Sequence, residues 1–562
     1  MTKTTRPSRL GVFLLIGLLI SPAGRAATAM DGGSAGNAGA VFRSPADGNL
    51  PDLGDESAAV LSPREERRIG EDFMRQARAQ LDILDDPELN EYLRHLGRRL
   101  TAGVEGQSGF YFFFVNNSTI NAFAVPGGYI GVHTGLLLAA RHEAEVAAVL
   151  AHETAHITQR HIPRMIAESR RISGPALAAI LAGVLIAASG GHGGEAAVAL
   201  ATAGLAQHEL NFTRTFEQEA DRIGMNILNT AGYDARAMPA FFEQMEVLGR
   251  LHENNLPEFL RTHPVTGRRI AESRNHAESF PARANPDGSA FAHMQARLRV
   301  LGNKPEEALK IFPGQLSSGD TDRPATVNEA SFTDGGRSGL LPSRGITPSM
   351  EGRSAEREAV PAGTNAGAVF PPADRYGYAL ALLANQRHDD ARREAALLLK
   401  SDPDYAPYHI LRAELELAAG NKPAGLRAYA EAIRRFPTSL ALTQRYASAL
   451  LKTGQPAQAR QLLDRAIRQQ PDEPTLYKLL ASAAGESGKK MEAHRAFGEY
   501  YFLTGQPRAA IEQFELAVRF AGNNFYYIAS LEARIKEIRE TLPPVPGKAE
   551  PGRDRPSPPD RR

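Results

Sequence analysis

Cysteine is absent from all 562 residues. That excludes disulfides, a cysteine nucleophile, thiolate-held zinc or iron–sulfur sites and a lipidated cysteine, so a metal site must be built from His, Asp and Glu. An excess of one charge is also lacking. Sixty-five Lys and Arg face 64 Asp and Glu, a formal net charge of +1, so electrostatics gives no reason to expect nucleic acid or an anionic membrane as the main partner. Apolar runs are short: residues 10–20 and 175–188 both fall below the ~20 residues a bilayer span needs. What is present is ordinary for globular protein, with 42% hydrophobic and 23% charged residues, which rules out wholesale disorder. At about 150 residues per domain, the length suggests three or four domain equivalents.

Lys3, Arg6 and Arg9 precede the apolar run 10–20, Ser21-Pro22-Ala23-Gly24 breaks it, and Ala27-Thr28-Ala29 reads as a cleavage site. Residues 1–29 are therefore expected to be a secretory signal peptide, the alternative being an uncleaved anchor. Residues 30–60, rich in Gly, Ala and Ser, read as a flexible segment. Dense helical and short extended patterns fill 61–285, and a helical block follows over 286–312. Residues 313–372 lose the helical period to Ser, Gly, Pro, Asp and Arg and read as a disordered insert. Helices resume over 373–542, and the tail 543–562, with seven prolines, is expected to be disordered.

The C-terminal helical block repeats. Pro403, Pro437 and Pro471 recur at a spacing of 34 residues, as do Gly420, Gly454 and Gly488, and Ala413, Ala447 and Ala481. Helix pairs with Gly in the turn, Pro after the second helix and Ala where the helices meet are the tetratricopeptide pattern. Ala379 keeps the period while Gln386 replaces the turn glycine, which marks a degenerate copy. Residues 294–311 read as an earlier copy, cut off by the insert. Such arrays form concave binding surfaces.

His152-Glu153-Thr154-Ala155-His156 carries the chemistry. On a helix, positions i and i+4 share a face, so both imidazoles can meet one ion while Glu153 flanks the same cleft. A third histidine ligand six residues after His156 is missing, since position 162 is Ile. The helical pattern runs from about Arg141 to Ser169, so His161 lies about 140° round the helix from His156 and points elsewhere. A carboxylate from a second helix remains. Glu217-Gln218-Glu219-Ala220-Asp221 offers Glu217 and Asp221 on one face, with Glu219 about 200° from Glu217.

These stretches resemble a known group, the exported or integral zinc peptidases typified by HtpX and the CAAX prenyl endopeptidases. Arg214 to Asp221 fits that group's R-x-x-E-x-x-A-D, Asn121 to Gly128 resembles its upstream strand and turn, and His263 to Ile270 its H-P-x-x-x-x-R-I element. With a signal peptide and repeats, the whole resembles the periplasmic BepA-like subgroup. The resemblance implies a mostly α fold: an α+β zincin-type metallopeptidase domain with a small sheet, followed by an α-solenoid of tetratricopeptide repeats. It implies one zinc ion per chain on His152, His156 and Glu217, with Glu153 as general base. Asp221, counted with Glu153 in the catalytic set, would accept a ligand imidazole N–H. Arg214 would pair with a carboxylate or bind substrate. Ala122, Phe123, Ala124 and Val125 would form an edge strand for the substrate main chain, and His263 would be a fourth, inhibitory ligand.

The apolar stretch 175–205 reads first as core packing, with a lid or a peripheral membrane contact as alternatives. The function expected from all this is a periplasmic zinc endopeptidase in envelope quality control. Its clients would be unfolded or misassembled envelope proteins, and its repeats would contact the outer-membrane protein assembly machinery. The competing reading is a chaperone-like adaptor with a latent zinc site.

Overall fold

The computed structural model describes residues 61–104, 109–168, 207–251, 257–312 and 370–542, and positions 181, 182, 184, 185 and 188. The expected signal peptide, the flexible segment, nearly all of the insert and the tail lie outside the described residues. The chain divides into two compact units, one formed by Met1–Gly288 with Ile433–Arg562 and the other by Ser289–Ala432.

The first unit opens with α1 (Pro63–Gln80), started by a Ser62 capping box with Glu65 and by Pro63 in its first turn. In α2 (Pro87–Thr101) the N-cap Asp86 accepts from the Leu89 N–H. Strands β1 (Tyr111–Val115), β2 (Ala122–Val125) and β3 (Tyr129–His133) form a sheet of order β1-β3-β2, so β2 is an edge. β1 runs parallel to β3 from Tyr111↔Tyr129 to Val115↔His133, and β2 runs antiparallel to β3. The β2–β3 turn needs Gly127 and Gly128, whose φ values are 88° and 92°. Phe73, Met74 and Ala77 of α1 pack against Phe113, Phe123 and Val125 of the sheet, together with Leu185 and Ala188. At those two positions the apolar stretch is core.

α3 (Thr134–Ala139) leads into α4 (Glu143–Thr158), which is buried on nearly every face. The helix expected to run on past residue 158 instead stops: Gln159 caps it and Arg160 turns left-handed at φ 53° before α5 (His161–Glu168). The chain then continues through α6 (Gln207–Thr230), α7 (Ala237–Leu251), α8 (Glu258–Thr262) and α9 (Gly267–Ala277).

The second unit holds α10 (Ser289–Leu301), α11 (Pro305–Ile311), α12 (Pro372–Ala384), α13 (His388–Ser401), α14 (Ala406–Ala418) and most of α15 (Lys422–Arg435). Ala296, Phe312, Phe370, Tyr376, Leu398 and Tyr408 share one core, so the helices on both sides of the expected insert pack together. α12 opens at Pro372, the last residue assigned to that insert. The degenerate turn keeps its geometry without glycine, Gln386 standing at φ 60°.

Helices α16 (Leu440–Lys452), α17 (Pro456–Gln469), α18 (Pro474–Glu486), α19 (Lys490–Leu503), α20 (Pro507–Phe520) and α21 (Phe525–Thr541) belong to the first unit. The turn glycines 454, 488 and 505 all have φ between 72° and 75°. Polar contacts fasten these helices to α1 and α2. Arg445 reaches Asp86 and Glu88 at 2.8 Å, Glu91 accepts from the Leu440 N–H at 2.6 Å and the Ser439 hydroxyl at 3.0 Å, and Arg94 pairs with Glu473 at 2.9 Å. Arg78 donates to the Thr504 carbonyl at 2.7 Å. That carbonyl ends α19, where a cation is favoured.

Candidate metal centre and active site

α4 places His152 and His156 one turn apart, and α6 lies against it closely enough to bring a carboxylate to both. Gly224 sets that approach: a Cβ there would stand 3.1 Å from the backbone N and Cα of His152. From α6, Glu217 Oε2 comes to 3.5 Å from His152 Nε2 and Oε1 to 3.3 Å from His156 Nε2. The two imidazole Nε2 atoms are 3.0 Å apart. His263 enters after α8, which is hung by its Phe259 N–H on the Ile120 carbonyl just ahead of β2. Its Nδ1 lies 3.3 Å from His152 Nε2 and 3.0 Å from Glu217 Oε1.

One ligand-type atom from each of His152, His156, Glu217 and His263 therefore falls within 4.8 Å of all the others. The corners of a tetrahedron around a cation held at ~2.0–2.1 Å are roughly 3.3 Å apart. The separations of 3.0–3.5 Å match such a cage, and nitrogen lone pairs turned toward one another make poor neighbours without a cation between them. The donor set fits a divalent metal. His156 is the most exposed of the four side chains, at 16%, so it marks the open side.

Glu153, next to the cluster and 1% exposed, has Oε1 3.4 Å from His263 Nε2. Burial pushes its carboxyl up, partly offset by His263 and His152. Burial likewise depresses His156 to about 3, keeping it the neutral imidazole that ligation requires. For His152 burial acts downward, but bonds to Asp221 and Glu217 outweigh it and lift the ring to about 10. Burial would raise Glu217, yet His263, His152 and His156 hold it well below the usual carboxylate range.

Asp221 has its Oδ1 3.0 Å from His152 Nδ1. Arg269 is the arginine of the H-P-x-x-x-x-R-I element. Its guanidinium clasps Asp221 at 2.8 and 2.9 Å, reaches Glu217 Oε2 at 2.9 Å and donates to the Pro264 carbonyl at 2.9 Å. One buried cation thus fixes both carboxylates and the loop after His263. Only the H-P-x-x-x-x-R-I spacing signalled it. Ala122, Phe123 and Val125 of the edge strand are buried and Ala124 is partly exposed. Arg214 is exposed on α6.

His161 departs from the expectation. Because the chain turns left-handed at Arg160, the helical 140° does not apply, and His161 folds back with Nδ1 2.8 Å from His156 Nδ1. Its Nε2 faces Glu219 Oε2 at 3.3 Å, and Arg164 reaches the same oxygen at 2.8 Å. The His161 bond, with Arg164 beside it, holds the Glu219 carboxyl below its ordinary value.

Comparison with known proteins places the chain in a family. The profile of peptidase family M48 matches residues 84–277, and two tetratricopeptide repeat profiles match 376–440 and 416–483. A putative beta-barrel assembly-enhancing protease of Vibrio cholerae is 31% identical over 492 residues, 87% of this chain and 92% of that protein. The beta-barrel assembly-enhancing protease of Yersinia pestis is 29% identical over 88% of this chain and 92% of its own length. Mitochondrial metalloendopeptidase OMA1 of Arabidopsis thaliana is 32% identical over 38% of this chain and 41% of its own. The solved structure of MamA 41-end from Desulfovibrio magneticus RS-1 covers 30% of the chain at 14% identity and a TM-score of 0.23, too slight a likeness to bear on the fold. With its HExxH helix, its second-helix carboxylate and its repeats, the chain is a metalloendopeptidase and belongs to the beta-barrel assembly-enhancing proteases of peptidase family M48.

Proposed function

We propose that this metalloendopeptidase uses zinc, works in the periplasm and acts on unfolded or misassembled envelope proteins, outer-membrane β-barrels among them. One observation carries the catalytic part: a buried His–His–carboxylate cluster stands directly beside a buried carboxylate, Glu153, that is not needed to complete it. A purely structural site, or an adaptor with a latent metal, would have no use for Glu153.

His152, His156 and Glu217 would hold the ion. Zinc at such a site supplies Lewis acidity, polarising a peptide carbonyl and acidifying water. Glu153 takes the proton of the attacking water on its carboxylate and hands it to the leaving amine; its burial and raised affinity for protons suit both transfers. Asp221, steadied by Arg269, fixes the His152 ring. β2, an edge strand of the sheet among the described residues, would pair with the main chain of an extended substrate.

His263 is the regulatory ligand in this reading. Its Nδ1 would serve as a further ligand, and its Nε2 stands in front of Glu153, where water and base must meet. Withdrawal of α8 would open the site. The periplasmic assignment rests on the leader-like residues 1–29 and on the relatives' names; among the described residues no helix is long and apolar enough to cross a membrane. The repeats would engage the clients or the assembly machinery.

Zinc content and casein cleavage test this together. Glu153→Gln should keep zinc and lose cleavage, and His263→Ala should raise basal cleavage with zinc near one per chain. Unchanged cleavage in Glu153→Gln refutes the mechanism, and reduced cleavage in His263→Ala refutes the regulatory role.

A further inference from the structure

Each ligand imidazole has an outer nitrogen, and the two are served differently. His152 Nδ1 faces a carboxylate, Asp221. His156 Nδ1 faces another imidazole, His161, at 2.8 Å. A neutral imidazole carries one proton, so a ring that presents Nε2 to a cation must carry it on Nδ1. His156 presents Nε2 to the cluster. Its Nδ1–H must then donate to His161 Nδ1, which leaves the His161 proton on Nε2, where it donates to Glu219 Oε2. The opposite assignment, with His161 Nδ1–H donating to His156 Nδ1, would put the His156 proton on Nε2 and block ligation.

We infer that His161, oriented by Glu219, is a positioning residue that selects the metal-binding tautomer of His156. The inference rests on the metal site proposed above and extends it to a third helix, α5. The surroundings fix the His161 ring on several sides. It is 4% exposed and lies over Phe216 with centroids 4.6 Å apart and planes 18° apart. Arg164 both pairs with Glu219 and stands 4.9 Å from the centroid of Phe216. The left-handed Arg160 is what returns His161 toward His156, and its guanidinium is tied to Glu66 of α1 at 2.6 Å. Phe216 immediately precedes Glu217, so the platform under His161 and the metal carboxylate move as one piece of α6. Glu219 therefore has a task although it faces away from the metal cluster: it acts through His161.

The test uses the full chain, stripped of metal and titrated with zinc alone against a chromophoric chelator. His161→Phe keeps a flat ring over Phe216 but has no acceptor, and zinc affinity should fall by about 10- to 100-fold. His161→Asn loses the ring but places a carboxamide oxygen near the Nδ1 position, and its affinity should stay near wild type. A role in packing alone predicts the reverse order, so zinc binding by His161→Phe at wild-type strength, or by His161→Asn as weakly as by His161→Phe, overturns the inference. Nitrogen-15 NMR of the zinc-loaded wild type removes dependence on variants that fold poorly. It should find the His161 proton on Nε2 and the His156 proton on Nδ1; a proton on His161 Nδ1 overturns the assignment. Failure of the wild type to bind zinc would instead defeat the metal site itself, and this inference with it.

Discussion

Replacing Arg445 by methionine should loosen the last repeats from the first helices of the peptidase unit while leaving the metal cluster intact. Arg445 reaches Asp86 at 2.8 Å and Glu88 at 2.8 and 3.0 Å, and the Glu88 side chain is only 1% exposed. Methionine keeps most of the apolar stem, so the lost term is chiefly electrostatic. Removing one partner of a buried ion pair costs about 3–5 kcal/mol. The Arg445 side chain is 25% exposed, so water shares its charge and the lower end, about 3 kcal/mol, applies. At 1.4 kcal/mol per tenfold, the local opening of α16 from α2 should become about 100-fold more frequent. Amide exchange of residues 439–452, followed by mass spectrometry on the full chain, reads this directly. The Leu440 N–H, bonded to Glu91, is the most informative site. Arg445→Lys should fall between the two, since it keeps the charge but not the fork. Exchange in Arg445→Met equal to wild type would show that the contact is a surface ion pair without weight and refute the reasoning.

Burial holds His133 at about 4 against an ordinary 6.5. Between those values the unfolded chain binds the extra proton, so this contribution is complete above pH 6.5 and fades as pH falls, by about 2 kcal/mol at pH 5. Thermal unfolding of His133→Asn should lack this part of the acid dependence, and an identical pH slope would contradict it. Gly224→Val should cost about 1–3 kcal/mol by wedging α6 off α4 and should weaken zinc retention by moving Glu217; an unchanged melting temperature and zinc content would count against the close approach.

The repeats were legible because their turns impose a local demand that one residue type meets. Gly420, Gly454 and Gly488 stand left-handed wherever the 34-residue period placed them. The centre was legible for a similar reason, since i, i+4 spacing on one helix is enough to bring His152 and His156 together. Arg269 was harder to read because its partners, Glu217 and Asp221, lie on another helix, and no local period links the two. His161 was misread for a reason that propensity does not reveal. Its direction depends on one backbone torsion, at Arg160, which has no glycine or asparagine to announce it. The split of the repeat array between two units was equally invisible, because the anchoring contacts of Arg445 and Arg78 are long-range bonds that leave no pattern along the chain.

Those long-range bonds also fix an order of events. Arg78 and Thr504 are 426 positions apart, and Ser289–Ala432 forms a unit of its own between the two stretches that make the other. The equilibrium cost of closing so large a loop grows only with the logarithm of its length, but the kinetic consequence is greater. A chain made from its N-terminus presents α1 and α2 long before the helices that cover them exist, and pairings at such separation form slowly. The intervening unit is synthesised in full before those helices and can complete itself first. The peptidase unit is therefore finished last, by the final third of its own polypeptide, so a chain cut short within the repeats would lack the helices that complete its proteolytic half.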